Sequence, residues 1–325
     1  MVFVLFILAA IITVLSAIKL STYADVLSHK TKVGSMLLGF LLLAGVTSLP
    51  ELTTGLTALY IENVDLAMGN MVGSNLFNIF IIAGFDLYFR RQRIFSNAAQ
   101  GHAYTAALGA ALTLIVLAGL FFPAAAAWGG ISLFSVLLVA AYAAGTLSLR
   151  ERMSSGGADA EPTSDMLPVV SVKQAKVRLF ISAGLVVAAG SILSITGDQI
   201  ALTTPLGSSW TGSFLIAAST SLPEAVVVLI AIQLANINLA ISSIAGSNLF
   251  NLVLIALLDA AYRPQSVFFV ADDAHIWTAF AALFLSLLFV YSLISAKTTS
   301  KQIYSWPSVL MIIVYFIFSI ALFLM

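Results

Sequence analysis

Glu51 and Glu224 are the residues of this sequence best placed to do chemistry, because each lies in the middle of a long apolar stretch. Each ends the same pentapeptide, Thr-Ser-Leu-Pro-Glu, and the two copies are 173 residues apart (224 − 51 = 173). A carboxylate inside a membrane helix is costly and usually marks a path for ions or protons. Two such carboxylates at equivalent points of a duplicated sequence predict a cation-binding site.

The residues around each glutamate carry oxygen atoms that suit a hard cation. Pro50 and Pro223 have no N–H and should bend or break their helices, which frees backbone carbonyls. Carbonyl, hydroxyl and carboxylate oxygens are the ligands of Ca²⁺ and Na⁺, and Ca²⁺ takes about six to eight of them. A second shared motif, Gly-Ser-Asn-Leu-Phe-Asn at residues 73–78 and 246–251, places a serine and an asparagine on one helix face. The oxygen-bearing candidates in the two copies are Thr47, Ser48, Ser74 and Asn78, and Thr220, Ser221, Ser247 and Asn251.

Each motif also has a structural interpretation. A membrane proline beside serine and threonine is often only a kink that the hydroxyls repair, and glycine, serine and asparagine clusters often hold helices together. The glutamates favour the functional interpretation, because an unpaired carboxylate at the middle of a span is rarely structural. Asp86 with Arg90, and Asp259 with Arg263, are interpreted as anchors at the membrane interface.

The elements that must position these residues are membrane helices. The chain is 61% hydrophobic and 9% charged, which excludes an ordinary soluble domain. Its formal net charge of +0 gives no support to a nucleic-acid partner, and the absence of cysteine excludes disulfides and thiolate metal sites. Apolar runs long enough to cross about 30 Å of hydrocarbon predict ten spans, at 1–20, 34–60, 64–86, 103–122, 126–149, 178–195, 207–234, 237–260, 274–296 and 305–325.

Charge and repetition together predict how the spans are arranged. Thirteen of the fourteen basic residues fall in alternate connections, and only Arg263 falls in the others, so the basic connections are predicted to be cytoplasmic and both termini extracellular. Residues 44–90 and 217–263 are identical at 21 of 47 positions without a gap. Each half has five spans, and since five is odd the second half is inverted.

The predicted fold class is therefore an all-α polytopic membrane protein, with ten transmembrane helices as two inverted five-helix repeats. The predicted units are an N-terminal repeat at 1–149, a cytoplasmic linker at 150–177 and a C-terminal repeat at 178–325. Such an inversion brings the two copies of the motif face to face at the centre of the bilayer.

The motifs resemble the two alpha-repeats of the cation/calcium exchanger superfamily, most closely those of a prokaryotic sodium/calcium exchanger. Those repeats read approximately Gly-Thr-Ser-Leu-Pro-Glu and then Gly-Asn-x-x-Gly-Ser-Asn-x-x-Asn/Asp, and the likeness covers essentially the whole chain. The resemblance implies a calcium centre at Glu51 and Glu224 with the carbonyls of Thr47 and Thr220. It implies one sodium site and its mirror, with Asn78 and Asn251 between them; the sodium ligands would be Ala44, Thr47, Ser48, Glu51 and Ser74, and Ala217, Thr220, Ser221, Glu224 and Ser247. The first and sixth spans resemble the mobile gating pair of the family.

Departures from the family pattern refine this expectation. Val46 and Ser219 replace the leading glycine, and the Gly-Asn pair becomes Ser242-Ser243 in the second copy. Asn251 stands where potassium-dependent relatives have aspartate, which argues against potassium co-transport. The proton-coupled branch typically has a further glutamate where this chain has Gly73 and Gly246, which favours sodium coupling.

These observations lead to one main hypothesis and two alternatives. The main hypothesis is a secondary antiporter that exchanges Na⁺ for Ca²⁺ by alternating access, working as a single chain in the lipid bilayer of the cell membrane, with the transported ions as its ligands and no cofactor. The alternatives are a proton-coupled divalent cation antiporter of the same fold and a passive cation channel, which the inverted duplication disfavours. An enzyme is not expected, because no nucleophile–base pair or histidine metal site is visible.

Overall fold

The computed structural model describes residues 1–31, 45, 47–123, 127–128, 130–154, 170–262, 265–295 and 305–325. Almost every element in these residues is an α-helix. The helices are α1 (Val2–Thr31), α2 (Leu49–Tyr60), α3 (Val64–Tyr88), α4 (Ile94–Asn97), α5 (Gly101–Phe121), α6 (Leu133–Ser154), α7 (Val172–Thr203), α8 (Gly207–Gln233), α9 (Ile237–Ala261), α10 (Val267–Val270), α11 (Ala274–Ser295) and α12 (Trp306–Leu324). Two short antiparallel strands, β1 (Ala127–Trp128) and β2 (Ile131–Ser132), precede α6.

Eight helices in the described part of the chain are long and apolar enough to cross a membrane, and α6 contains a shorter apolar stretch, Leu133–Ser148. This agrees with a multi-pass, essentially all-helical membrane protein. The N-terminal part of the predicted span 34–60 lies outside the described residues, and α2 covers its C-terminal end.

Helices α1 and α7 are longer than the predicted spans 1–20 and 178–195. Helix α1 continues past Lys19 and α7 begins before Arg178, because long basic side chains can reach the interface while the backbone stays helical. Helix α7 also continues beyond 195 to Thr203. The predicted linker 150–177 is accordingly helical at both ends, where α6 runs to Ser154 and α7 begins at Val172; its middle lies outside the described residues.

Helices α3 and α9 form the centre of the molecule and are the most buried of the candidate spans. They begin in the same way, with an asparagine whose side-chain oxygen accepts a hydrogen bond from a backbone N–H of the first turn: Asn63 from Leu66 at 2.9 Å and Asn236 from Leu239 at 3.1 Å. Asparagine is among the best residues for this capping role. The two caps are equivalent positions of the two sequence copies.

The two motif prolines act differently: the expected break in the helix is present at Pro50 and absent at Pro223. Pro50 lies in the first turn of α2, and Ser48 before it is a turn residue, which is where a missing N–H costs least. Pro223 lies inside α8, which continues through it. A π-helical segment, Thr211–Ile216, precedes this position and supplies the local irregularity in the second copy instead.

Helices α1 and α7 pack mainly along each other, and both also contact the helices that carry the prolines. Helix α7 meets α2 through polar contacts: Thr57 Oγ1 donates to Ser191 Oγ at 3.1 Å, and Ser194 Oγ donates to the Thr54 carbonyl at 3.0 Å. The pair α1 and α7 therefore borders the motif helices without belonging to the central α3–α9 crossing.

Asp86 and Asp259 are fully buried, so interpreting them as interfacial anchors is wrong. Ser308 Oγ donates to Asp86 at 2.7 Å, and Ser135 Oγ donates to Asp259 at 2.6 Å. Each bond joins one half of the chain to the other, and the same offset relates both serines and both aspartates. A buried carboxylate needs such donors. The donors could not be predicted from the sequence, because each serine is more than 100 residues away from its aspartate.

Candidate functional site

The structure brings the predicted site residues together in the interior. All of them except Ala44, which lies outside the described residues, are buried, and Thr47, the most exposed, has 6% of its surface accessible. They lie around the start of α2 and within α3, α8 and α9. The buried residues are Thr47, Ser48, Glu51, Ser74, Asn78, Ala217, Thr220, Ser221, Glu224, Ser247 and Asn251.

The two glutamate motifs contact each other directly. Ser221 Oγ, from the second copy, donates a hydrogen bond to Glu51 Oε1 of the first copy at 3.2 Å. Ser247 Oγ on α9 donates to Glu224 Oε1 at 3.3 Å. Segments far apart in the sequence thus form one polar centre that contains both carboxylates.

Asn70 on α3 links the helices of this centre by hydrogen bonds. It was not among the residues predicted for the site. Its Nδ2 donates to the Glu51 carbonyl at 3.2 Å and to Thr54 Oγ1 at 2.5 Å. Its Oδ1 accepts from Thr220 Oγ1 at 3.2 Å, so it bridges α2 and α8. The signal was the Gly69-Asn70 pair, which has no equivalent in the second copy, where Ser243 takes the place of Asn70.

Buried oxygen atoms without a hydrogen-bond partner are concentrated in this centre. The described residues contain nine buried side-chain oxygens of this kind, and six belong to the predicted site. The six atoms are Ser48 Oγ, Glu51 Oε2, Ser74 Oγ, Asn78 Oδ1, Glu224 Oε2 and Asn251 Oδ1. Because buried polar atoms are normally paired, these oxygens require partners that the described residues do not supply, and a bound cation is one such partner.

The serines of the two copies differ in state although their sequence contexts match. In the second copy, the hydroxyls of Ser221 and Ser247 both donate to a carboxylate. In the first copy, the hydroxyls of Ser48 and Ser74 have no hydrogen-bond partner among the described residues. The structure therefore holds the two half-sites in unequal arrangements.

Gly73 and Gly69 allow α3 to approach the π-helical segment of α8. A Cβ atom at Gly73 would overlap the Ser213 carbonyl oxygen, and one at Gly69 would lie 2.8 Å from the Ser213 backbone nitrogen. No side chain fits at Gly73 without moving α8. Position 73, where the sequence resemblance would put a glutamate in a proton-coupled exchanger, is therefore closed to a side chain in this arrangement.

The ligand set of the centre suits a hard cation. Among the described residues no three His, Cys, Asp or Glu side chains converge in a way that could hold a metal ion. The centre offers two carboxylates, and its other polar groups are neutral hydroxyls and amides. Oxygen ligands of mixed type favour Ca²⁺ and Na⁺ over transition metals. The geometry can therefore serve cation binding in the buried interior.

The chain resembles the antiporter-like CaxA in sequence and two exchangers of known structure in fold. CaxA of Alkalimonas amylolytica is 26% identical over 282 residues, which is 82% of each chain. The structure of the H⁺/Ca²⁺ exchanger CAX superposes with a TM-score of 0.71 at 15% identity, over 99% of this chain and 86% of that one. The sodium-calcium exchanger NCX_Mj gives a TM-score of 0.61 at 21% identity, over 98% and 97%.

These likenesses show a shared fold, and a family model shows the family. The model described as sodium/calcium exchanger protein matches residues 1–146 and 175–324, which include both glutamate motifs. The chain is a multi-pass membrane protein that belongs to the sodium/calcium exchanger protein family, a family of cation transporters.

Proposed function

We propose that this protein is a secondary active antiporter that exchanges Na⁺ for Ca²⁺ at one central site by alternating access. Glu51 and Glu224 supply the negative charge of the site. The neutral ligands of the first copy are Ala44, Thr47, Ser48, Ser74 and Asn78, and those of the second copy are Ala217, Thr220, Ser221, Ser247 and Asn251. Ala44 lies outside the described residues.

The observation that carries this proposal is the cluster of six buried, unpartnered oxygens. Leaving a buried acceptor unpaired costs about 1–3 kcal/mol, and more for a charged one. The number of atoms matches the lower end of the about six to eight oxygens that Ca²⁺ takes. Two carboxylates would neutralise a divalent cation, which a low-dielectric interior requires.

Sodium rather than proton coupling is supported by Gly73. The proton-coupled pattern typically has a glutamate there, and the Ser213 backbone occupies the space that its side chain would need. The hydroxyls of Ser48 and Ser74, which are among the six unpartnered oxygens, are neutral oxygens of the kind that also bind Na⁺. NCX_Mj, a sodium-calcium exchanger, has the same fold over nearly its whole length.

Sharing one site is sufficient to couple the two ions. Both Na⁺ and Ca²⁺ use Glu51 and Glu224, so each must leave before the other binds. We propose that α1 and α7, which pack along each other beside the central helices, move together to expose the site to one side at a time. The polar contacts of α7 with α2, at Ser191 and Ser194, would break and re-form in that movement.

The proposed architecture is ten transmembrane helices as two inverted repeats, 1–149 and 178–325, joined at 150–177, with both termini outside the cell membrane. Contacts that recur with the 173-residue offset support it. Asn75 and Asn248 each donate to the other's backbone carbonyl, and the Ser308–Asp86 and Ser135–Asp259 bonds are likewise equivalent. A two-fold axis between inverted halves produces such reciprocal pairs.

The test is Ca²⁺ uptake into proteoliposomes loaded with Na⁺. Uptake should require an outward Na⁺ gradient and should be lost in Glu51→Gln, because neutralising one carboxylate leaves the divalent ion uncompensated. Glu62→Gln, a change at an exposed glutamate beyond α2, is the matched control and should transport normally. Uptake without a Na⁺ gradient, or uptake that survives Glu51→Gln, would show the proposal to be wrong.

A proton-coupled divalent cation antiporter is the second candidate, because the H⁺/Ca²⁺ exchanger CAX has the same fold. The same vesicles distinguish the two functions when they are loaded with choline instead of Na⁺ and given an inside-acid pH gradient. Uptake driven by that gradient alone would favour proton exchange. Uptake that needs Na⁺ and ignores the pH gradient would favour sodium exchange.

A further inference from the structure

Asn75 and Asn248 are buried at the crossing of α3 and α9, and they lie outside the set of ligands proposed above. Asn75 Nδ2 donates to the Asn248 carbonyl at 3.2 Å, and Asn248 Nδ2 donates to the Asn75 carbonyl at 3.4 Å. These two reciprocal bonds fix both side chains across the interface between the halves.

Their side-chain oxygens receive hydrogen bonds from the two asparagines of the proposed site. Asn248 Oδ1 accepts from Asn78 Nδ2 at 2.9 Å, and Asn75 Oδ1 accepts from Asn251 Nδ2 at 3.2 Å. Each site asparagine is thus held by the asparagine of the opposite half. The four amides form a network in which every side-chain N–H₂ group has an acceptor.

The consequence is that only oxygen is left for an ion. Asn78 Oδ1 and Asn251 Oδ1 are buried and have no hydrogen-bond partner within the described residues. An amide has an oxygen on one side and an N–H₂ donor on the other, so the direction in which it is held decides whether it attracts or repels a cation.

We propose that Asn75 and Asn248 are positioning residues that hold Asn251 and Asn78, respectively, with their oxygens directed to the transported cation. Their own side-chain oxygens accept the hydrogen bonds that orient the two site amides. This inference rests on the proposed function, since it assigns the means by which two ligands of that site are oriented.

The test replaces the acceptor by an isosteric apolar side chain. Asn75→Leu removes the acceptor for Asn251, whose amide can then turn its N–H₂ group to the ion. The cation then loses the Asn251 oxygen as a ligand, which should raise KM for Ca²⁺ by about tenfold or more. Asn248→Leu should act in the same way through Asn78, and it provides a second route if one variant folds poorly.

A second substitution separates orientation from a purely structural role. Asn251→Asp has no N–H₂ group, so its direction no longer matters and it needs no acceptor at Asn75. Adding Asn75→Leu to Asn251→Asp should therefore change KM by less than about twofold, against about tenfold in the parent. By the same reasoning, Asn78→Asp should remove the effect of Asn248→Leu.

The decisive result is the pairing pattern. We expect Asn251→Asp, and not Asn78→Asp, to suppress the effect of Asn75→Leu on KM, with the reverse for Asn248→Leu. Equal effects of Asn75→Leu in all three backgrounds would overturn the inference, because a packing defect does not depend on which site amide is present. The parent protein's Na⁺-driven uptake is measured in parallel, so failure of the exchanger function itself would be seen separately.

Discussion

Ser48→Ala and Ser221→Ala should have opposite effects on the ion-free protein although the two serines occupy equivalent motif positions. Ser48 Oγ is buried without a hydrogen-bond partner in the described part of the chain, whereas Ser221 Oγ donates to Glu51 Oε1 at 3.2 Å. The two hydroxyls therefore contribute differently before any ion binds.

The magnitudes follow from hydrogen-bond energetics. A buried, unpaired hydroxyl costs about 1–3 kcal/mol, so Ser48→Ala should leave the ion-free protein as stable as the parent or more stable. A typical intramolecular hydrogen bond contributes about 0.5–1.5 kcal/mol, so Ser221→Ala should destabilise the ion-free protein by about that amount.

Cation binding should stabilise the Ser48→Ala variant less than it stabilises the parent protein. A cation at 100 times its Kd stabilises the folded state by about 2.7 kcal/mol. If loss of the Ser48 ligand raises Kd about tenfold, the same concentration gives about 1.4 kcal/mol. The variant should thus gain about half of the cation-induced stabilisation that the parent gains.

The assay is thermal unfolding of the purified protein in detergent, first with a chelator and then with Ca²⁺ at a fixed excess. Ser74→Ala, whose hydroxyl is also unpartnered among the described residues, should behave as Ser48→Ala does. The reasoning would be refuted if Ser48→Ala lowered the ion-free Tm as much as Ser221→Ala, or if its Ca²⁺-induced shift equalled that of the parent.

Two further predictions use matched positions. Gly73→Ala should abolish transport and lower Tm, because its Cβ would overlap the Ser213 carbonyl oxygen. Gly84→Ala is the control: its Cβ would meet nothing within 4 Å, so the change should be neutral or stabilising by up to about 1 kcal/mol. Similar Tm values for the two variants would contradict the close packing at Gly73. Asn70→Ala removes three hydrogen bonds and should cost about 3 kcal/mol, while Ser243→Ala at the equivalent position should cost little. Chemical unfolding of both variants measures this difference, and equal losses would count against the bridging role of Asn70.

Much of the candidate site could be predicted from the sequence because the chain repeats itself. The duplicated Thr-Ser-Leu-Pro-Glu motif identified both carboxylates and their hydroxyl neighbours without any contact information. Apolar length was equally informative about membrane helices, since crossing hydrocarbon requires a minimum run of apolar residues.

Other features could not be predicted, because they depend on contacts between distant residues. Ser308 is bonded to Asp86 across 222 residues, and nothing near Asp86 in the sequence indicated that its carboxylate is buried. The role of Asn70 was missed for the same reason, since its partner Thr220 belongs to the other half of the chain. The two ends of α7 were misjudged because hydropathy locates the hydrocarbon and not the ends of the helix.

The sequence by itself determined the membrane class of this protein, and it identified the two glutamates and the oxygen-bearing residues proposed as their fellow ligands, because these follow from composition and from an exact offset between repeats. Only the tertiary structure decided which atoms meet. It paired Ser221 with Glu51 and left Ser48 unpaired, although the two serines are equivalent in the repeat. The two motifs carry the same side chains, but Ser48 lies in a turn before α2 and Ser221 lies in α8 after a π-helical segment. Because the surrounding backbone differs, the two serines make different contacts.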